Sequence, residues 1–228
     1  MDAQIAVITG AGSGLGAALA GRYSEEGSHV CLLGRTRKKL ERTAEGLSGS
    51  HSIHEVDIAS KGNVKEVMDA IGETYGPIDH LVNNAGVGIF RLAEELDGQS
   101  VDRMIDTNLK GTIHCTQAVL PTMKQRNSGS IVNIVSASGK VAKEYESVYS
   151  ASKFGVRGFA EALSEELKSH DVKLFSVYMG NMQTDLWQDD HPAEQDDYMC
   201  PEDVAEVIVE NLKIRRNLSV SDITILNR

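Results

Sequence analysis

Ile5-Ala6-Val7-Ile8-Thr9-Gly10-Ala11-Gly12-Ser13-Gly14-Leu15-Gly16 is the stretch on which the fold turns. Its first four residues are apolar and mostly β-branched, which suits a buried strand. The glycine-rich turn that follows opens directly into an amphipathic stretch from Leu15 to Glu26. Glycines between a strand and a helix let backbone approach a pyrophosphate, and the helix N-terminus offers N–H groups and a positive dipole end. A flexible turn would explain the glycines but not their place at the first strand–helix junction. The loop therefore reads as a dinucleotide-phosphate site whose contact residues are Gly10, Gly12, Ser13, Gly14, Leu15 and Gly16.

Outward from that loop, short apolar runs alternate with longer amphipathic stretches to the end of the chain. The pattern predicts strands at Ile5–Thr9, His29–Leu33, Ser52–Asp57, His80–Asn83, Ser130–Val135, Lys173–Tyr178 and Asp222–Leu226. Helices are predicted at Leu15–Glu26, Lys38–Leu47, Gly62–Tyr75, Ser100–Lys124, Val148–His170 and Pro201–Leu212. Strands separated by helices imply an α/β protein with a parallel sheet, and right-handed crossovers make it a doubly wound, seven-stranded Rossmann sheet with helices on both faces. No repeat, low-complexity tract or linker interrupts the alternation, so residues 1–228 are expected to form a single domain.

The 228 residues are 41% hydrophobic and 25% charged, enough for a sizeable core. No apolar run approaches bilayer length, and Cys31, Cys115 and Cys200 offer neither a disulfide framework nor a Cys-x-x-Cys site. A cytoplasmic protein without membrane attachment is the expectation. A net charge of -10 opposes binding to nucleic acid, and no histidine spacing suggests a metal.

Two further features carry chemistry. Tyr149 and Lys153 lie one helical turn apart in Tyr149-Ser150-Ala151-Ser152-Lys153, so a phenol and an ammonium share a face. A phenol near pKa ~10 needs a depression of roughly 2–3 units to move protons near neutrality, and an ammonium at about 4 Å can supply that. The pair predicts a general acid with a lowered pKa. At the end of the second strand, where an acid about 20 residues past the glycines would hold a free ribose 2′-hydroxyl, the chain carries Arg35 instead. A guanidinium there suits a 2′-phosphate, which favours NADP over NAD. The following Lys38 and Lys39 read as solvated first-turn residues of the next helix.

The Thr-Gly-x-x-x-Gly-x-Gly spacing from Thr9, Asn83-Asn84-Ala85-Gly86 after the fourth strand and the Tyr149/Lys153 pair together resemble the short-chain dehydrogenase/reductase family over essentially the whole chain. The resemblance implies a catalytic set of Asn108, Ser136, Tyr149 and Lys153. Ser136, thirteen residues before the tyrosine, would anchor a substrate carbonyl, and Asn108 would hold a water in a proton relay. It also implies that Asp57 and Ile58 meet the adenine, that Asn84, Ala85 and Gly86 run along the adenosine ribose, and that Tyr149 and Lys153 also touch the nicotinamide ribose. Asn83 is expected to tie strands together. The implied reaction is hydride transfer between NADP(H) and a small-molecule carbonyl or alcohol, in a homodimer or homotetramer. A cofactor-sensing binding protein of the same fold is the second reading, and the intact Ser136, Tyr149 and Lys153 set weighs against it.

The chain departs from the family pattern after the sixth strand. Met179-Gly180-Asn181-Met182-Gln183-Thr184 lacks the usual proline before the glycine, which predicts a looser turn around the nicotinamide, with Met182 and Thr184 retained as contacts. Six acids (Asp185, Asp189, Asp190, Glu194, Asp196 and Asp197) flank Leu186 and Trp187 in the expected substrate loop, whose charge would disfavour acidic partners. Phe90, Val141 and Tyr145 suit either a pocket wall or ordinary packing.

Overall fold

A computed structural model describes residues 3–184, 198–213 and 216–228. Seven parallel strands form one sheet in the order β3-β2-β1-β4-β5-β6-β7. In chain order the strands are β1 (Ile5–Thr9), β2 (His29–Gly34), β3 (His51–Glu55), β4 (His80–Asn83), β5 (Gly129–Ile134), β6 (Val172–Met179) and β7 (Asp222–Ile225). The helices are α1 (Gly14–Glu25), α2 (Arg37–Glu45), α3 (Lys61–Tyr75), α4 (Gly98–Met104), α5 (Thr112–Arg126), α6 (Ser147–Glu166) and α7 (Pro201–Leu212). This is the doubly wound sheet expected from the sequence.

Each strand's alternation assigns its side chains to two cores. Ala6, Ile8, Val30, Leu32, Val82 and Phe175 pack with Leu15 and Leu19 of α1, Leu40 of α2 and Ile208 of α7. The intervening residues Val7, Cys31, Leu33, Leu81 and Ile131 pack against Met68 and Ile71 of α3, Cys115 and Val119 of α5, and Leu163 of α6. Burial on both faces is why the central strands read as unbroken apolar runs, without the alternation of a half-wet sheet. Local signals set the helix starts: the Ser60 hydroxyl accepts the Asn63 N–H ahead of α3, the Asp97 carboxylate accepts the Ser100 N–H ahead of α4, and Pro201 opens α7.

One predicted helix needs correction. The region assigned to Ser100–Lys124 contains α4, a π-helical stretch at Ile105–Gly111 and α5. The wider turn carries Asn108, whose amide is drawn out of the helix: Oδ1 accepts the Val87 N–H (2.8 Å), and Nδ2 donates to Val87 O (2.9 Å) and Ser152 Oγ (2.9 Å). Such bulges are a known way to re-aim a side chain within a helical run. Other boundaries differ by a few residues. Asn83 donates to Asn133 Oδ1 (2.9 Å) and Thr116 Oγ1 (3.1 Å), tying β4 to β5 and α5 as anticipated.

The sheet's amino edge carries a separate polar network. The His29 ring lies between the Ser50 and Ser52 hydroxyls at 3.0 and 3.2 Å and stacks on Tyr75, while His54 Nε2 meets Ser52 Oγ at 2.8 Å. Burial holds His29, His54 and His80 below the ordinary imidazole range; neighbouring imidazoles reinforce this for His29 and His54, whereas Asp79 opposes it at His80. On acidification the unfolded chain takes up these protons first, so stability is full above the ordinary range near pH ~6.5 and falls as pH drops below it. Denaturant midpoints measured from pH 7.5 to 5 (about neutral to mildly acid) should decline, and His29→Gln should make the decline shallower; an unchanged slope would contradict this origin.

Candidate active site

At the carboxyl edge of the sheet a cleft of about 430 Å³ opens where β1 and β4 diverge to opposite sides. This is the switch point at which open α/β sheets bind ligands, and the volume lies within the roughly 300–1,000 Å³ of ligand pockets.

The Thr9 hydroxyl organises the floor. It donates to Val82 O (3.2 Å) and accepts the N–H groups of Asn84 and Ala85 (both 3.0 Å), joining the end of β1 to the end of β4. Asn84 returns the link by donating to Thr9 O (2.9 Å) and Gly10 O (3.3 Å). Above this junction Gly10, Gly12, Ser13, Gly14, Leu15 and Gly16 line one wall. The glycines are sterically required: a Cβ on Gly16 would sit 2.3 Å from Gly10 O, and one on Gly10, where φ is +65°, would sit 2.8 Å from Ala85 Cα. Ser13 occupies the N-cap position of α1 without a side-chain capping bond, leaving first-turn N–H groups directed at the cleft's edge.

Arg35, exposed at the end of β2, lines the next part of the wall with Thr36 and Lys39. Lys39 is the exposed first-turn residue read from the sequence and also borders the cleft: a Cβ on Gly12 would meet Lys39 Cβ at 2.9 Å, so the first turn of α2 packs over the glycine loop. Arg37 turns away into an exposed ion pair with Glu41. Asp57 and Ile58 follow β3 and face the same cleft, with Asp57 Oδ1 accepting the Ala59 N–H at 3.0 Å. Asn84, Ala85 and Gly86 line it beyond β4.

The chemistry-bearing residues converge past β5. Ser136, Tyr149 and Lys153 all border the cleft. Ser136 has φ of 136°, a conformation that strains a non-glycine residue and is held here by its surroundings. Its Oγ accepts the Ser138 N–H (3.1 Å) and lies near enough to the Tyr149 phenol to favour its ionised form. Lys153 Nζ lies 5.7 Å from the Tyr149 ring centroid and donates to Ile134 O at 3.0 Å. Asn108 stands behind this wall with Lys153: a Cβ on Gly86 would be 3.5 Å from Asn108 Oδ1 and 3.7 Å from Lys153 Nζ.

The electrostatics reverse one expectation. Burial pushes the Tyr149 phenol up to about 12, outweighing the Ser136 hydroxyl, which lowers it, and nearby Glu146 adds to the rise. Burial likewise pushes Lys153 down to about 8. Desolvation thus dominates at both groups, which are almost fully buried where they border the cleft.

Phe90 takes a place read for it as open between pocket wall and packing, and two residues, Glu146 and Asn227, escaped the sequence reading. Phe90 sets its edge against Tyr149, with ring centroids 5.4 Å apart. Glu146, buried at the head of α6, accepts the Ser138 hydroxyl proton. Asn227 holds the segment after β6. The looser turn expected from the absent proline is not found, because Met179 extends β6 in register with Ile225 and the Gly180 N–H donates to Ile225 O at 2.9 Å. Met182 and Thr184 line the cleft, and a Cβ on Gly14 would meet Thr184 Cγ2 at 2.8 Å. The acidic substrate loop, with Asp185, Leu186, Trp187, Asp189, Asp190, Glu194, Asp196 and Asp197, lies outside the described residues. Among the described residues, no cluster of three or more His, Cys, Asp or Glu side chains is arranged to hold a metal ion, and no helix is long and apolar enough to cross a membrane.

A glycine-walled cleft at the switch point of a parallel sheet, with serine, tyrosine and lysine converging on it, defines a Rossmann-type oxidoreductase. Residues 4–195 match the family described as short chain dehydrogenase, and the chain belongs to that family. An uncharacterized oxidoreductase of Staphylococcus aureus strain N315 is 35% identical over 223 residues, 97% of this chain and 96% of the relative. An alcohol dehydrogenase from the archaeon Thermococcus sibiricus, solved with 5-hydroxy-NADP, superposes with a TM-score of 0.90 at 27% identity, covering 99% of this chain and 97% of its own. Serine dehydrogenase from Escherichia coli gives a TM-score of 0.84 at 28% identity over 97% of this chain and 96% of its own.

Thr9→Val keeps the shape but leaves the Ala85 N–H without its hydroxyl partner. Chemical denaturation should register a loss of about 1–3 kcal/mol; a variant as stable as wild type would show that the junction is not held by this hydroxyl.

Proposed function

We propose that the protein is an NADP-dependent carbonyl reductase, working reversibly on an alcohol, with residues 1–228 as one catalytic domain. The observation that carries this reading is the convergence of Ser136, Tyr149 and Lys153 on a cleft whose far wall is a glycine loop at a helix N-terminus. The cleft supports a dinucleotide by its place at the switch point and its glycine wall, where Gly10, Gly14 and Gly16 pack so closely on Ala85, Thr184 and Gly10 O that side chains would displace the loop. NADP supplies a hydride donor or acceptor when bound. Gly10, Gly12, Ser13, Gly14, Leu15 and Gly16 would hold its pyrophosphate, Arg35 with Lys39 its 2′-phosphate, Asp57 and Ile58 its adenine, Asn84, Ala85 and Gly86 its ribose, and Met182 and Thr184 its nicotinamide end.

Each catalytic side chain then has a task set by its chemistry. Ser136 Oγ orients the substrate oxygen by hydrogen bonding, and the phenol of Tyr149 gives that oxygen a proton in reduction or takes one in oxidation. Burial holds the phenol near about 12, so it is protonated at neutral pH, and proton transfer there requires that value to be lowered in the working complex. Lys153 binds ribose hydroxyls and stabilises the phenolate left behind; it carries its proton below about 8 and loses it above. Asn108 fixes the loop at Val87 and joins the path by which Lys153 exchanges protons with solvent. The bound alcohol dehydrogenase relative supports the choice of NADP by its own ligand. We further propose a cytoplasmic homodimer or homotetramer assembled through the helices bearing Asn108 and Tyr149.

Tyr149→Phe should retain NADPH binding while turnover on a panel of aldehydes, ketones and quinones, followed by NADPH absorbance, falls about 10²–10⁴-fold. Turnover within a factor of about two of wild type would remove Tyr149 as the acid. Arg35→Asp should shift the NADPH/NADH ratio of kcat/KM towards NADH by about tenfold or more, the scale of one charge-assisted hydrogen bond. An unchanged ratio would discard the 2′-phosphate contact.

A further inference from the structure

The turn after β6 lines the cleft through Met179, Gly180, Asn181 and Met182, beside the wall that carries Ser136 and Tyr149 and on the opposite side of the switch point from Arg35. Its backbone is held from two directions. Asn227 Oδ1 accepts the Asn181 N–H at 2.9 Å and Asn227 Nδ2 donates to Asn181 O at 2.9 Å, so a single carboxamide grips both polar groups of one residue. From the other side the Met199 N–H donates to Asn181 O at 3.1 Å, and the Gln183 N–H donates to Met199 O at 3.1 Å. The grip is close: a Cβ on Gly180 would lie 2.4 Å from Asn227 Oδ1, so Gly180 gives the carboxamide its room.

We propose that Asn227 is a positioning residue for the nicotinamide half of the cofactor. Its two-point grip on Asn181 fixes the turn that this chain builds without a proline. A turn held only through φ would restrain one torsion; the carboxamide restrains a whole peptide residue through two hydrogen bonds in fixed relative geometry. Met179, free of the proline constraint, can then continue β6 alongside Ile225. The distance along the chain is large, since the grip spans 46 residues and depends on β7 being in register with β6. Asn227 does not itself line the cleft, and its grip on Asn181, which does, bears on where the wall stands.

The proposal rests on the dinucleotide reading of the cleft, and the test separates the two. NADPH and 2′,5′-ADP, which keeps the adenosine phosphates but has no nicotinamide, are titrated into wild type, Asn227→Ala and Asn227→Asp by calorimetry, with thermal unfolding followed in parallel. Asn227→Ala removes both hydrogen bonds, and Asn227→Asp keeps the size but cannot donate to Asn181 O. Both variants should bind NADPH about tenfold more weakly, the scale of one or two lost hydrogen bonds, while 2′,5′-ADP affinity stays within about twofold of wild type. Equal weakening of both ligands, or of neither, would overturn the positioning role; the isosteric Asn227→Asp decides the matter if Asn227→Ala unfolds. Wild type binding neither ligand would instead overturn the cofactor reading, and the role of Asn227 with it.

Discussion

The Thr9 hydroxyl has one proton and two lone pairs, and all three are used where the sheet changes direction. One side of the sheet proceeds from β1 through β2 to β3, the other from β4 to β7, and the two chain directions part immediately beyond Thr9. Any crevice opened there would be only as well defined as the link across it. By satisfying the Asn84 and Ala85 N–H groups from the end of β1, Thr9 makes the glycine loop and the segment after β4 a single rigid floor. The glycines, Asn84 and Gly86 take their positions from that floor, and Gly86 in turn abuts Asn108 and Lys153.

The paired phenol and ammonium show how two physical effects of opposite sign can be misjudged from spacing alone. Placing Lys153 one turn from Tyr149 suggests a field that lowers the phenol's pKa. Spacing does not reveal burial. With both groups within the wall, desolvation raises one and lowers the other, moving each towards its neutral form. At neutral pH the phenol keeps its proton, and the lysine, at about 8, keeps most of its charge inside the wall.

The architecture was legible in the sequence because burial on both sheet faces imposes long apolar runs, and the glycine loop fixes where the first strand ends. The site residues carried by motifs were legible for the same local reason: a tight turn or one helical turn determines their placement. What sequence could not disclose depended on packing between distant segments. That the exposed Lys39 also borders the cleft became visible only with α2 laid over Gly12. Glu146 resembled other acids until the head of α6 was buried against Ser138. Asn227 carried no signal at all, since its value comes from the register of β6 and β7. The π-helical stretch was invisible because a bulge of one turn does not disturb a helical apolar pattern.

The contacts that the glycine Cβ positions would make have a practical bearing on redesign. Gly10 leans on Ala85, Gly12 on Lys39, Gly14 on Thr184 and Gly16 back on Gly10, so each joint of the loop is supported by a different part of the chain. Enlarging any one of them would displace a separate wall, and the disturbances would not stay local in a closely packed protein. An engineer wishing to retune which nucleotide enters should leave the loop untouched and work on the exposed rim at Arg35 and Thr36, where side chains can be exchanged without moving backbone.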